Sequence, residues 1–236
     1  MPETGLKLDL IAFDADDTLW HSETLYRDVE AKFKELLAAY GVDAFDPTMH
    51  DNEIRNLEYY GYGIKGFILS LIETAIELSD GHITASDIAQ IVGWGKEMQA
   101  APVELVEHAP AVVALLAAAY RLMLITKGDL FDQEAKLTRS GLRHHFHHVE
   151  IVSEKSQGSY AAILERYRIT PAHFLMVGNS LRSDILPVVA LGGRAVYIPS
   201  HITWEHEAVT APGGAQYEEI EHLGLLPETI ERLASS

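Results

Sequence analysis

Short apolar segments that end abruptly in polar residues recur along this chain of 236 residues. Segments of this length and character are typical of strands that are buried on both faces of a sheet. Helical patterns separate most of them, and strands that alternate with helices favour a parallel sheet covered on both faces. The sequence therefore predicts an α/β fold with a doubly wound parallel sheet, with strands at residues 8–13, 121–126, 149–152, 173–178 and 194–198.

Residues 20–108 differ from the rest of the chain because they contain no comparable strand pattern. Apolar residues recur at helical spacing over 22–40 and 66–79, and Asp46-Pro47 is a favourable start for another helix. Such a stretch is far longer than a normal crossover between strands. The sequence predicts an α/β core domain at 1–20 and 105–236 and an inserted all-helical domain at 21–104.

Charge and composition argue against several classes of function. The formal net charge is −17, from 35 acidic and 18 basic residues, and such a surface repels duplex nucleic acid and anionic membranes. The chain has no cysteine, which excludes disulfides, cysteine zinc sites and a cysteine nucleophile and fits a cytoplasmic protein. Residues 1–7 do not read as a signal peptide, and no apolar run approaches bilayer-spanning length.

Polar residues that could act on a ligand follow four of the predicted strands. In an open parallel sheet, ligands bind beyond the carboxyl ends of the strands, so these are the positions to inspect. They supply carboxylate, hydroxyl, ammonium and amide groups, which phosphoryl transfer with a bound metal requires. In chain order they are Asp14, Asp16 and Thr18, then Thr126 and Lys127, then Glu154 and Lys155, and finally Asn179, Ser180 and Asp184.

These residues resemble the four motifs of the haloacid dehalogenase superfamily in order and approximate spacing. The first motif stands here as Asp14-Ala15-Asp16-Asp17-Thr18, the second as Thr126 and the third as Lys155. The fourth stands as Gly178-Asn179-Ser180-Leu181-Arg182-Ser183-Asp184. The resemblance covers residues 5–20 and 105–200. It implies a Rossmann-like core. It also implies that the helical insertion is a cap, which covers the site and selects the substrate.

The resemblance further implies a magnesium-dependent phosphatase that forms an aspartyl phosphate. Asp14 would be the nucleophile, and Asp16 would be the general acid and base. The substrate phosphate would be bound by Thr126, Lys127 and Lys155. Mg²⁺ would be held by Asp14, the backbone carbonyl of Asp16, Asn179 and Asp184. The expected partner is a small phosphorylated metabolite, such as phosphoglycolate, a sugar phosphate or a nucleotide, and a monomer and a dimer are both open.

Two positions depart from the motif pattern of the superfamily. Asn179 stands where most members have aspartate, and an amide oxygen brings no negative charge, so we expect weaker binding of Mg²⁺. Lys127 follows the motif threonine, where many members have asparagine. It either adds positive potential at the mouth of the site or is an ordinary surface lysine.

Two other functions stay open on the sequence alone. A 2-haloacid dehalogenase would use Asp14 against carbon. Such enzymes carry asparagine in the region of Asn179 but lack the second aspartate of the first motif, which is present here as Asp16. A non-catalytic phosphate-binding module would keep the fold, although the presence of both aspartates argues against it. The histidine-rich residues 143–148 are interpreted as a solvated connection, because adjacent histidines in an irregular segment rarely converge on one ion.

Overall fold

The computed structural model of the chain describes residues 8–42, 47–200, 204, 207, 209 and 216–234. The first seven residues and Asp46, which carry two of the expectations above, lie outside these ranges. The chain divides into two compact units, which we call the core unit and the helical unit. The core unit contains 1–21, 103–127 and 136–236, and the helical unit contains 22–102 and 128–135. The domain boundaries expected from the sequence stay a prediction.

The secondary structure follows the alternation of strands and helices expected for an α/β chain. The strands are β1 (Leu10–Phe13), β2 (Leu122–Lys127), β3 (His148–Val152), β4 (Phe174–Gly178), β5 (Arg194–Tyr197) and β6 (Glu218–Glu219). The helices are α1 (Glu23–Ala38), α2 (Thr48–Tyr60), α3 (Ile64–Leu78), α4 (Ala85–Ala100), α5 (Ala109–Ala117), α6 (Leu130–Arg139), α7 (Gln157–Tyr167), α8 (Leu186–Val189) and α9 (Leu226–Ala234).

The six strands form one parallel sheet in the order β3-β2-β1-β4-β5-β6. Chain order reverses direction at β1, which lies between β2 and β4, so the carboxyl end of β1 is the switch point where ligands bind in such sheets. The predicted doubly wound parallel sheet is therefore confirmed. The short strand β6 and the helix α9 were not predicted.

Side chains of β1 alternate between the two faces of the sheet, as the pleat of a strand requires. Ile11 and Phe13 belong to one buried apolar cluster and Leu10 and Ala12 to another. All four side chains are fully buried. With both faces covered, β1 is fixed in register, and the residue that follows it is placed at the switch point without freedom to shift.

The core unit holds the two ends of the inserted segment side by side. Trp20 forms an antiparallel bridge with Leu105. The N–H group of His21 donates to the carbonyl oxygen of Glu104 at 2.9 Å. The inserted segment therefore begins and ends at one short paired element of the core unit.

The turns that follow β3 and β4 position residues of the third and fourth motifs. The Ser156 side chain accepts a hydrogen bond from the Ser159 N–H, and the Ser159 hydroxyl accepts one from the Ser156 N–H, so α7 begins with a capping box. This places Lys155 just before the helix. The turn after β4 begins differently. Ser180 is extended and its hydroxyl accepts from the Ser183 N–H, and a π-helical turn, Leu181–Ile185, then leads into α8.

The helical unit packs its helices around its own apolar cluster. Phe33 of α1, Leu71 of α3 and Ile91 of α4 are each at most 1 % exposed. No helix of the described residues is long and apolar enough to cross a bilayer.

The helical unit contains one carboxyl group with a raised pKa. Burial raises the pKa of Glu53, and the carboxylates of Glu30 and Glu23 raise it further. The net value is about 7 despite the opposing charge of Arg27.

Replacing Glu53 by glutamine should change stability in a pH-dependent way. The folded pKa of about 7 lies above the ordinary value of 4.5, so protonation of Glu53 stabilises the fold below about pH 4.5, and this contribution is lost as the pH rises through 7. At pH 8 the Glu53→Gln variant should therefore be more stable than wild type, by on the order of 1 kcal/mol after solvent screening. At pH 5 the two should be nearly equal.

Thermal denaturation at pH 5 and pH 8 measures this difference. The exposed Glu58→Gln is the matched control, since it removes a carboxyl group from the same helix. A Glu53→Gln effect of the same size at both pH values would contradict the prediction.

Candidate active site

The turn after β1 places two carboxyl groups at the switch point. Asp14 follows the strand directly, and its N–H group donates to Val177 of β4 at 2.9 Å. Asp17 has a positive φ of 59°, a conformation that aspartate adopts more readily than most residues. Its N–H group donates to the carbonyl oxygen of Trp20 at 2.7 Å. Asp17 therefore has a structural role in the turn. The carboxyl groups that remain as candidates for chemistry at the switch point are those of Asp14 and Asp16.

Lys155 joins the tips of three strands. Its ammonium group donates to Asp14 and, at 2.7 Å, to Asp184. The Lys155 and Asp184 side chains are 2 % and 1 % exposed. The second oxygen of Asp184 accepts from the Ser180 N–H at 3.0 Å. Buried carboxylates need this kind of compensation, because an unpaired charge is costly to remove from water.

The protonation of Asp14 reflects this crowded environment. Burial raises the pKa of Asp14 most strongly, the ammonium group of Lys155 lowers it, and the carboxylates of Asp184 and Asp16 raise it. The resulting value is about 7. Nearby positive charge therefore determines how much of Asp14 is in the ionised form that a nucleophile requires.

Asn179 lies against the oxygens that the motifs assign to a metal. In the amide orientation that satisfies its neighbours, the Asn179 nitrogen donates to Thr18 Oγ1 at 3.1 Å, to the Asp16 carbonyl oxygen at 3.2 Å and to Asp14 Oδ2 at 3.2 Å. Thr18 donates in turn to Asp14 Oδ2 at 3.1 Å. An amide turned by half a rotation would present its oxygen at the same place.

This spacing fits an octahedral cation. Neighbouring oxygens around Mg²⁺ lie about 3.0 Å apart, given metal–oxygen distances of about 2.1 Å. With its amide turned, Asn179 would be one such oxygen beside Asp14 and the Asp16 carbonyl. The described residues contain no group of three or more His, Cys, Asp or Glu side chains suited to a metal. The candidate set is consistent with this, because it has two carboxylates, one amide and one backbone carbonyl.

Asp16 is held by two side chains that sequence reasoning missed in this role. Lys136 Nζ lies 2.7 Å from Asp16 Oδ1 and 2.9 Å from Oδ2, and Trp20 Nε1 donates to Oδ1 at 2.7 Å. Trp20 is fully buried and Lys136 is 8 % exposed. Helical spacing places Lys136 on the same face as Gln133 and Ser140, both of which are buried. This spacing is the sequence feature that indicates a buried Lys136.

Lys127 is not an ordinary surface lysine, since its side chain is 16 % exposed. Its ammonium group donates to Glu207 and, at 3.0 Å, to Ser183 Oγ. Glu207 also accepts from Ser180 Oγ at 2.5 Å and from Ser183 Oγ at 2.6 Å. Burial would raise the pKa of Glu207, but Lys127 and the two hydroxyl groups lower it to about 2. Glu207 is therefore a carboxylate that neutralises Lys127, and no motif pointed to it.

The structure brings most of the residues singled out from the sequence to one edge of the sheet. Hydrogen bonds connect Asp14, Thr18, Lys155, Asn179 and Asp184. Thr126 is buried at the end of β2, the strand paired with β1. The histidine-rich residues form a short 3-10 turn, Arg143–His145, before β3.

The comparison with family models identifies the chain. Residues 8–192 match the model described as haloacid dehalogenase-like hydrolase. This chain belongs to the haloacid dehalogenase-like hydrolases. It is thus a hydrolase of a family that often uses Mg²⁺. None of the curated proteins compared with the chain matches it.

Solved structures of this family resemble the chain over nearly its whole length. A haloacid dehalogenase-like hydrolase from Xanthomonas campestris is 41 % identical, with a TM-score of 0.88, and the match covers 98 % of this chain and 94 % of that one. A 2-haloacid dehalogenase from Pseudomonas syringae pv. Tomato DC3000 is 21 % identical, with a TM-score of 0.65 and coverage of 96 % and 100 %. The hydrolase YfnB from Bacillus subtilis, bound to magnesium, is 17 % identical, with a TM-score of 0.65 and coverage of 95 % and 99 %. At these low identities the last two structures show the fold alone. Phosphatases and dehalogenases are both among the matching structures.

Replacing Lys155 by methionine should destabilise the protein strongly. The change leaves two buried carboxylates, Asp14 and Asp184, without their cation. Breaking a buried ion pair from one side costs about 3–5 kcal/mol. Urea denaturation at pH 8 without divalent ions measures the loss, and adding Asp184→Asn to the same variant should recover part of it.

The exposed Lys34→Met is the control for the loss of one positive charge from an acidic chain. A loss in Lys155→Met no greater than in this control would show that Lys155 does not hold the two carboxylates.

Proposed function

We propose that the chain is a magnesium-dependent phosphatase of small phosphomonoesters that works through an aspartyl phosphate on Asp14. The observation that carries this proposal is the pair of carboxyl groups after β1. Asp14 is held by Lys155, and Asp16 is held separately by Lys136 and Trp20. A nucleophile and a distinct acid–base group suit the two steps of phosphoester hydrolysis.

The first step would form a bond between an Asp14 oxygen and phosphorus while the bond from phosphorus to the leaving oxygen breaks. Asp16 would give its proton to that leaving oxygen. In the second step water attacks phosphorus and loses a proton to Asp16, and the bond from Asp14 to phosphorus breaks. The oxygens of the phosphoryl group would be bound by Lys155 and Thr126, which lie at the ends of the neighbouring strands, with Lys127 beside them.

Asp14, the Asp16 carbonyl, Asn179 and Asp184 would hold the Mg²⁺. When bound, the cation supplies positive charge that offsets the repulsion between an anionic nucleophile and an anionic phosphate. Lys155 already contacts two of these groups, so the chain itself contributes part of that charge.

The acidic composition favours a small substrate in a cytoplasmic protein. With a net charge of −17, the chain repels large polyanions, so attraction must come from a local positive site. Lys155, Lys136 and Lys127 lie at one edge of the sheet, but each is paired with a carboxylate, so a bound Mg²⁺ would supply the excess positive charge. A phosphoglycolate, a sugar phosphate or a nucleotide would fit this requirement.

A panel of phosphorylated metabolites assayed with Mg²⁺ tests the proposal. Wild type should release phosphate from one or more of them, and Asp14→Asn should lose at least about 10³-fold in rate, since it removes the nucleophile. Asn179→Ser, which changes a predicted metal ligand and leaves Asp14 in place, serves as a comparison and should be rescued in part by a higher Mg²⁺ concentration. Activity that survives in Asp14→Asn would refute the mechanism.

Dehalogenation of a 2-haloacid is the second candidate function, and Asn179 together with the dehalogenase folds among the neighbours favours it. In that reaction Asp14 would attack carbon and displace halide. Assays of chloride release from 2-haloacids, with and without a chelator, separate the two functions. Chloride release that resists chelation, without phosphate release from the panel, would favour the dehalogenase.

The Asn179→Asp variant should bind Mg²⁺ more tightly than wild type. A carboxylate at this place adds negative charge beside Asp14 and the Asp16 carbonyl, and we expect the dissociation constant to fall by roughly tenfold. Calorimetric titration with Mg²⁺ measures the affinity independently of activity. Gln157→Glu, which adds the same charge at an exposed position, is the control, and equal affinities in wild type and Asn179→Asp would contradict the prediction.

A further inference from the structure

We propose that Lys136 is a positioning residue that holds the Asp16 carboxyl group in the orientation needed to protonate the leaving oxygen. The inference rests on the proposed function, because it assigns Lys136 a task in that reaction. No motif of the chain includes Lys136, which lies within α6, ten residues after Thr126.

The contacts at Asp16 fix both oxygens of its carboxyl group. Lys136 Nζ lies 2.7 Å from Oδ1 and 2.9 Å from Oδ2, and Trp20 Nε1 lies 2.7 Å from Oδ1. Donors on both oxygens restrict rotation of the group about its bond to the β-carbon. Since the indole of Trp20 is fully buried, it offers a rigid donor that cannot follow a rotating carboxylate.

Lys136 and Asp16 differ in how much of each side chain is exposed to solvent. The Lys136 side chain is 10 % exposed, whereas the Asp16 side chain is 28 % exposed. The Lys136 ammonium group is therefore largely shielded from solvent, whereas part of the Asp16 side chain stays accessible to a reacting molecule. Efficient proton transfer requires a carboxyl group that is held in one orientation and that a bound molecule can reach.

Stability of the fold does not account for a lysine at this place. If both Lys136 and Asp16 were apolar, this stripe of α6 would pack without the cost of desolvating two charges, whereas an apolar residue at 136 alone would leave the Asp16 carboxylate without its cation. Buried ion pairs are often no more stable than their apolar replacements. The contact with Asp16 gives the lysine a reason to be there that packing does not give.

Leaving-group dependence distinguishes this role from a structural one. An alkyl phosphate expels a strongly basic alkoxide and needs the proton from Asp16, whereas p-nitrophenyl phosphate expels a stable phenolate and needs little help. Lys136→Met should therefore slow the single-turnover release of alcohol by about 10²-fold. Release of p-nitrophenol should change by less than about threefold in the same assay. The loss should be in the rate, with a much smaller change in KM.

Two further variants test that Lys136 acts through Asp16. The double variant Asp16→Asn/Lys136→Met should be no slower than Asp16→Asn alone, because the lysine has nothing left to position. Trp20→Phe removes the other donor and keeps the ring, so it should show the same preference for the aryl substrate to a smaller degree. Lys136→Arg should recover part of the alkyl phosphatase rate, and it and Trp20→Phe carry the test if Lys136→Met does not fold.

Lys127→Met is the matched control, since it removes another partly buried lysine that contacts Glu207 instead of Asp16. It should slow both substrates by similar factors. Equal losses on both substrates in Lys136→Met, or independent losses that multiply in the double variant, would overturn the inference while leaving the phosphatase intact. A wild type that hydrolyses no phosphomonoester would overturn the proposed function and the inference with it.

Discussion

The ion pairs of Lys155 are the interaction on which the rest of the site depends. Its ammonium group reaches from the tip of β3 to Asp14 at the tip of β1 and to Asp184 beyond β4. Three strands from separate parts of the chain are thereby joined at one buried point. Because two carboxylates could not share this space without a cation, the lysine makes the close approach of Asp14, the proposed nucleophile, and Asp184, a proposed metal ligand, possible.

Charge balance at the sheet edge is local and unlike that of the whole chain. Lys155 is matched to Asp14 and Asp184, Lys136 to Asp16, and Lys127 to Glu207. Asn179 extends this balance, since its amide can donate to neighbouring oxygens where an aspartate would repel them. In the proposed metal site the same amide would attract a divalent cation less than a carboxylate, so a stable cation-free site and weaker cation binding would have one cause.

The sequence predicted the parts of the site that follow directly from strand ends. Asp14, Thr126 and Asn179 are each the first polar residue after an apolar segment and Lys155 is the third, and parallel pairing brings such residues to one edge. Lys136 and Glu207 could not be found in this way. Lys136 reaches Asp16 from the middle of a helix. Glu207 lies in the connection after β5, where neither periodicity nor a motif indicates which residues a side chain contacts.

The same limit applies to the local structure of the fourth motif. Ser180 and Ser183 are both suitable capping residues, and only the backbone conformation decides between them. Ser180 is extended and precedes a π-helical turn, which no propensity rule anticipates. A Cβ atom at Gly178 would lie 2.3 Å from Asp184 Oδ2, so the glycine before this turn is set by the approach of Asp184 and not by turn chemistry.

The bridge between Trp20 and Leu105 has a consequence for how such a chain can diversify. Since the two ends of the inserted segment are already paired within the core unit, the entropic cost of closing the segment grows only slowly with its length. Insertions of very different size could occupy this place while the register of β1 and β2 stays the same. Recombination at this paired junction would then exchange one insertion for another without rebuilding the catalytic edge of the sheet.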